Sequence, residues 1–287
     1  MWPFKQKKIK IGLALGGGGA RGIGHIGVLK ALEELGIKPD LIAGTSAGSI
    51  VGSFYAGGYS VEQMEAIAKN LRVKDVRDSK LIWKPSSSEN IEQLVEKSFN
   101  KEHVEYEDLK IPFTAVCVDI KTGKELHFSE GDLAKTVSGS CSVPGVFKPV
   151  KYLDYHLVDG GILNNVPADV VHGMGADVVI AIDVNSTRGD GTQSVKLTSV
   201  LNAAIGVMMQ YSVRSKLDFA DIVITPNLKR FASTKLEGVE EMIEEGYKAI
   251  MDRKDEIIKL TKKKQKRKIR NLWQKIRKEK QVLAKKS

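Results

Sequence analysis

The sequence predicts an α/β protein, a three-layer α/β/α sandwich around a central, mostly parallel sheet. Three observations carry this. Short apolar, β-favouring runs alternate with segments of helical periodicity along most of the chain, the pattern of a sheet covered on both faces by helices. The first two strand-like runs, KIKIGLAL and PDLIAGT, are each followed directly by a helix-like stretch, an order that demands parallel strands with right-handed crossovers. With 287 residues, 42% of them hydrophobic and 28% charged, the chain can bury one sizeable core.

The elements follow in order. KIKIGLAL reads as a buried strand running into the tight loop GGGG. In the next stretch Ile23, Ile26, Leu29, Leu32 and Leu35 are spaced for one helical face, and Gly36 stands where a C-terminal cap is expected. PDLIAGTS is a second short strand and AGSIVGSFYAGG a helix rich in small residues. VEQMEAIAKNL and NIEQLVEKSFN are helical, with KPSSS as a loop between them. IPFTAVCVDI is an apolar strand, and KELHF, after Thr122-Gly123, is its candidate hairpin partner. KTVSGSCSVPGVFKPV passes from a helix into a proline-punctuated loop, and YHLVDGGILNNVP gives strand, turn and helix start. ADVVIAIDV and ADIVITP are strands on either side of the helix SVLNAAIGVMMQYSVRSKL, and EGVEEMIEEGYKAIMDR is the last core helix. No internal repeat occurs. The expected organisation is one domain over residues 8–258 and a basic amphipathic tail over 259–287.

Composition narrows the function classes. The two cysteines, Cys117 and Cys141, lie in apolar or small-residue stretches and read as buried free thiols rather than a disulfide framework. Five scattered histidines without ligand spacing give no zinc site. MWPFKQKKIK has no apolar core of signal-peptide length, and no run of about 18 apolar residues is present to span a membrane. The expected compartment is the cytoplasm.

The net charge of +10 is unevenly spread. Fourteen of the 45 Lys and Arg, but one of the 35 Asp and Glu, follow residue 258. The body is near neutral, and any anionic partner belongs to the tail.

The chemistry centres on Gly44-Thr45-Ser46-Ala47-Gly48. A strand, then G-x-S-x-G, then a helix is the setting of a nucleophile elbow. The alternative is a small residue at a strand-to-helix turn. In the elbow reading the Ser46 oxygen sits at a helix N-terminus, where the dipole favours developing negative charge. One crossover earlier, GGGGARG occupies the same carboxyl edge of the sheet. Consecutive glycines let backbone N–H groups converge on an oxyanion, and Arg21 adds positive charge. The rival is a dinucleotide loop, since residues 17–22 and 22–27 both fit G-x-G-x-x-G. That motif wants an acid at the end of the second strand, whereas Asp40 stands at its beginning. No Gly-Lys-Ser/Thr follows for a P-loop.

The third element is Val158-Asp159-Gly160-Gly161. Asp-Gly after a strand is ordinarily a turn. In the functional reading Asp159 is a general base beside the serine, its basicity raised by partial burial. Histidines compete poorly. His172 lies at an expected helix C-terminus, His25 is too early in the chain, His156 points away from Asp159 on its strand, and His103 and His127 have no motif around them. A Ser–Asp dyad is therefore favoured over a triad.

Together GGGGARG, GTSAG and DGG, with GHIGVLKALEE, SCSVPGVFKPV and DGGILNNVP between and around them, resemble the patatin-like phospholipases, in particular small bacterial members. The resemblance covers most of residues 9–225. It implies a serine–aspartate lipid acyl hydrolase of phospholipase or lysophospholipase type, acting through an acyl-enzyme on a phospholipid or other acyl ester and needing neither a metal nor an organic cofactor. Ser46 is then the nucleophile and Asp159 the base, and Gly17, Gly18 and Gly19 with Arg21 form the oxyanion hole. Pro144, Val146 and Phe147 are candidates for an acyl pocket, against the alternative that they pack their own loop. Two other functions stay open: an acyltransferase or transacylase using the same site, and a nucleotide- or membrane-binding regulatory module with an inert serine.

In the tail, Ile269, Leu272, Trp273, Ile276 and Leu283 have helical spacing on a basic background. That reads as an interfacial helix for an anionic membrane surface, placing the protein peripherally at the inner face of the membrane. MWPF is a candidate second anchor. The competing readings are a solvated extension, a helix packed on the body, or nucleic-acid binding. No specific nucleic acid is expected.

Overall fold

The computed structural model describes residues 8–76, 86–185 and 197–284. The strands are β1 (Ile11–Leu15), β2 (Leu41–Thr45), β3 (Phe113–Asp119), β4 (Lys124–Phe128), β5 (Val150–Tyr152), β6 (Tyr155–Asp159), β7 (Val178–Ile182) and β8 (Ile222–Ile224). The helices are α1 (Gly24–Glu34), α2 (Ala47–Gly57), α3 (Val61–Asn70), α4 (Val73–Val76), α5 (Glu89–Phe99), α6 (Leu133–Ser140), α7 (Gly161–Asn164), α8 (Ala168–Gly173), α9 (Leu197–Lys216), α10 (Val239–Met251) and α11 (Lys254–Ala284).

β3, β2, β1, β7 and β8 form a parallel run, and β4, β5 and β6 join it antiparallel. β1, β2, β3 and β7 are buried on both faces, as the unbroken apolar run of β7, VVIAI, requires. Leu13, Leu15, Ile42, Ile180 and Ile182 point to the face covered by α1, α2, α3 and α10, and they dominate the larger core. Ala14, Ala43, Val179 and Ala181 alternate with them and meet α8 and Val213 of α9. These are the three layers the sequence predicts. Residues 122–123 turn β3 back into β4, which pairs antiparallel with it as the hairpin reading expects.

One detail differs at the first helix. Gly19–Ile23 form a 3-10 turn before α1 begins at Gly24. Gly19 has φ +57° there, a left-handed conformation that interrupts an α-helix running straight from the glycines.

α11 is 31 residues long, about 46 Å at 1.5 Å per residue. Ile257 is buried and Leu260 half-buried against the core. Farther along, Lys264 pairs with Asp221 at 2.6 Å, Lys268 pairs with Asp177, and Gln265 accepts the Ile9 N–H at 2.8 Å. Asp177 and Asp221 immediately precede β7 and β8, so α11 crosses the amino edge of the sheet. Of the residues expected to form the tail's apolar face, the side chains of Leu272, Trp273, Ile276 and Leu283 lie outside the described residues, as do the whole of MWPF and Lys84-Pro85 of the KPSSS loop.

Candidate active site

Two strand ends build the site. On β3, β2 pairs with residues 113–116 and ends with Thr45 opposite Val116. β6 runs the other way, pairs with residues 117–119 and ends with Asp159 opposite Cys117. β4 pairs with residues 115–119 and so occupies the other edge of β3. β2 and β6 therefore share one edge and end head to head, which brings Ser46 and Asp159 together.

The elbow is tight. Ser46 has φ 53° and ψ −128°, a conformation that costs a non-glycine residue about 1–3 kcal/mol. Its neighbours must lack side chains. A Cβ on Gly44 would lie 2.4 Å from the Gly48 oxygen, and one on Gly48 would lie 2.1 Å from the Leu15 oxygen. Three hydroxyls hold the turn. Ser140 Oγ accepts the Ser46 N–H at 2.9 Å and donates to the Val116 carbonyl at 2.6 Å, filling the gap between the two strand ends. Thr45 Oγ1 donates to the Asn164 carbonyl at 2.8 Å, and Ser49 Oγ donates to the Ser46 carbonyl at 2.6 Å.

Asp159 is 0% exposed and Ser46 7%. Burial pushes the Asp159 carboxyl up to about 6, against the smaller opposing effects of the nearby Ser46 hydroxyl and the Gly161 N–H, which favour the anion. The Gly161 N–H donates to Oδ1 at 2.8 Å. Oδ2 is buried and has no hydrogen-bond partner among the described residues. Cys141 is also buried here, and burial raises its thiol well above the ordinary range, so it stays protonated.

The glycine loop divides its tasks. The Gly17 N–H donates to the Asn165 carbonyl at 3.0 Å, so Gly17 is not an oxyanion donor as expected. It supplies space instead, since a Cβ there would lie 2.9 Å from the Ser46 Cβ. The N–H groups of Gly18, Gly19 and Ala47 have no acceptor among the described residues, and all three residues line the cavity that holds Ser46 and Asp159. Arg21 lines it too, with Nε donating to the Phe231 carbonyl at 2.8 Å and Nη1 to Asn185 Oδ1 at 2.9 Å. Burial lowers its pKa, and both of these partners are neutral.

The cavity measures about 990 Å³, the upper end of the roughly 300–1,000 Å³ common for small-molecule sites. Its walls are largely apolar: Ile26 of α1, Ile50 and Phe54 of α2, Met64 of α3 and Leu94 of α5. Of the three candidates for an acyl pocket, Val146 and Phe147 line the cavity. Pro144 does not; it bridges to Phe147 within its own loop. Among the described residues, no histidine lines the cavity. His172 lies in the last turn of α8, its ring 5.5 Å from Phe219.

Some contributors escape sequence reasoning. Ser140 is one, hidden in the small-residue run SGSCS. Asn165 is another: besides accepting from Gly17, it donates from Nδ2 to the Gly17 carbonyl at 3.3 Å, clamping the glycine loop to the segment after Asp159. His25 is the third. Its Nε2–H donates to the Gly16 carbonyl at 2.7 Å, and burial lowers its pKa to about 4, against a smaller opposite effect of that bond. It is a neutral brace for the loop.

Comparison with known proteins gives consistent relatives. A family described as patatin-like phospholipase matches residues 13–172. Patatin-like phospholipase domain-containing protein 6 of Mus musculus is 37% identical over 195 residues, 61% of this chain and 14% of that protein. Lysophospholipase nte1 of Aspergillus fumigatus is 37% identical over 183 residues, 61% of this chain and 12% of that protein. An uncharacterized NTE family protein of Mycobacterium bovis is 36% identical over 184 residues, 62% of this chain and 50% of that protein. The match thus spans half or less of each of these relatives. Among solved structures, VipD from Legionella pneumophila shares the fold, with a TM-score of 0.59 at 14% identity over 85% of this chain and 66% of VipD.

Proposed function

The chain belongs to the patatin-like phospholipase family, and from that premise we propose that it is a lipid acyl hydrolase working through Ser46 and Asp159. The observation that carries this is the head-to-head ending of β2 and β6, which sets a strained serine beside a buried carboxylate at the wall of an apolar cavity.

In the first step Asp159 takes the Ser46 proton as Oγ attacks the ester carbonyl. The oxyanion receives the N–H groups of Gly18, Gly19 and Ala47. Each such preorganised donor is worth about 3–4 kcal/mol to the transition state. Collapse expels the alcohol, which leaves with the proton held by Asp159, and the acyl group stays on Ser46. Water then gives a proton to Asp159 and attacks the acyl-enzyme. The tetrahedral intermediate releases the fatty acid, and the proton returns to Ser46 Oγ. A carboxyl near pH 6 suits this work, because it is ionised at neutral pH yet more basic than an exposed aspartate. The acyl chain occupies the apolar cavity. The name of the fungal relative supports a lysophospholipid as substrate.

A fluorophosphonate probe tests the reading. It should label wild type on the Ser46 peptide alone, fail on Ser46→Ala, and react far more slowly with Asp159→Asn. No labelling of folded wild type with lipid vesicles present, or labelling that survives in Ser46→Ala, refutes it.

A further inference from the structure

α9 stands as a single helix between the cavity and solvent. Ala203, Ile205, Gly206 and Met209 line the cavity, whereas Val200, Val207, Met208 and Tyr211 are exposed, Tyr211 at 73%. At roughly 100° per residue the exposed set falls on the arc opposite the lining set. The helix contains no acidic residue, and Arg214 ends the exposed stripe with its guanidinium 5.7 Å from the Tyr211 ring centre. Its C-terminal half is fastened to the catalytic loop. Ser212 Oγ donates to the Gly161 carbonyl at 3.0 Å and accepts the Asn165 N–H at 3.2 Å. Lys216 reaches Asp169 at 2.6 Å and Glu125 at 3.2 Å.

We propose that the Val200–Val207–Met208–Tyr211 stripe docks the protein on an anionic phospholipid bilayer, so that α9 both walls the cavity and sets it on the membrane. The proposal rests on the lipid-hydrolase reading of the site. Three features favour a bilayer. The order along the stripe, aliphatic side chains and then tyrosine and arginine, matches the passage from acyl chains to headgroups. The absence of acids removes repulsion from anionic lipid. The stripe also backs directly onto the cavity. The cationic α11, in contrast, is rooted at the amino edge of the sheet, whereas Ser46 follows the carboxyl end of β2. Contact through α11 alone leaves the cavity turned from the membrane.

The test is cosedimentation of the full chain with vesicles of phosphatidylglycerol and phosphatidylcholine. Wild type is compared with Val207→Glu/Met208→Glu, with the milder Val207→Ser/Met208→Gln, and with a tail variant in which Lys262, Lys263, Lys266 and Arg267 become Gln. The glutamate pair should lower vesicle affinity, and turnover of vesicle-borne phospholipid, at least about tenfold. It should leave hydrolysis of a monomeric short-chain ester unchanged. The milder pair should act in the same direction, and the tail variant should keep most of the binding. Unchanged vesicle binding by both pairs overturns the proposal, as does binding lost only in the tail variant. A wild-type dimer that the glutamate pair splits without altering vesicle binding overturns it too, by making a second copy the occupant. The same binding series in a Ser46→Ala background needs no turnover. If the stripe governs binding there but wild type hydrolyses no ester, the docking surface stands and the hydrolase reading falls.

Discussion

Replacing Asp159 with asparagine should abolish turnover and make the protein more stable. The buried carboxyl moves from 3.8 to about 6, a shift of about two units, and each unit is worth 1.36 kcal/mol. Keeping the ionised form buried at neutral pH therefore costs about 3 kcal/mol. The sign follows from proton uptake. The folded protein holds this proton more tightly than the unfolded chain, so stability falls as pH rises from about 4 to 6, and the full cost persists above 6. The asparagine side chain would keep an oxygen for the Gly161 N–H, now 2.8 Å from Oδ1, and turn an amide towards the Ser46 hydroxyl, which can accept from it. Asp159→Asn should then gain up to about 3 kcal/mol at pH 8, or about 6 °C in Tm at roughly 2 °C per kcal/mol for a chain of this size. The gain should vanish near pH 4. Urea or thermal unfolding of both proteins at pH 4, 6 and 8 measures it. A variant less stable than wild type at pH 8, or a gain independent of pH, would refute the reasoning.

Ser140→Ala strips the Ser46 N–H and the Val116 carbonyl of their shared partner and should lose about 1–3 kcal/mol in urea unfolding, with slower fluorophosphonate labelling of Ser46. His25 works against Asp159 in pH dependence. Its folded pKa of about 4 lies below the usual 6.5, so it should withdraw about 3 kcal/mol of stability as pH falls from 6.5 to 4; His25→Gln should flatten that acid limb in the same unfolding series. Leu94→Trp should narrow the cavity and reduce kcat/KM for long-chain nitrophenyl esters by about tenfold or more relative to the butyrate; an unchanged chain-length profile would place the acyl chain elsewhere.

Much of this was legible in local pattern. Strand–glycine–helix and strand–GTSAG–helix are short-range signals, and β1, β2 and α2 form where they predict, while α1 starts later, at Gly24. The TG turn likewise announces the β3–β4 hairpin. What stayed hidden depends on long-range register. Nothing near Ser46 in the chain says that β6 will end opposite Cys117, beside the end of β2. Nor does anything say that Ser140 will bridge the gap. Gly17 looked like its neighbours because an amide's partner is not written in its residue type, and here the partner is Asn165, far along the chain. Pro144 shares a loop with Val146 and Phe147, but side-chain direction, not proximity, decides which of them meets the cavity. α9 was readable as a helix, while its division into a cavity face and an exposed face depends on what packs against it.

The head-to-head strands have a consequence for re-engineering. Thr45, which precedes Ser46, and Asp159 sit opposite consecutive residues of β3, so that strand is a common datum for Ser46 and Asp159. A bend of the sheet that keeps this register carries both groups together. Much of the cavity wall comes from elsewhere, from α1, α3, α5 and α9. α1, α3 and α5 can be recut to reshape the cavity without altering the β3 register that brings Ser46 to Asp159, whereas α9 is tied to the segment after Asp159 through Ser212.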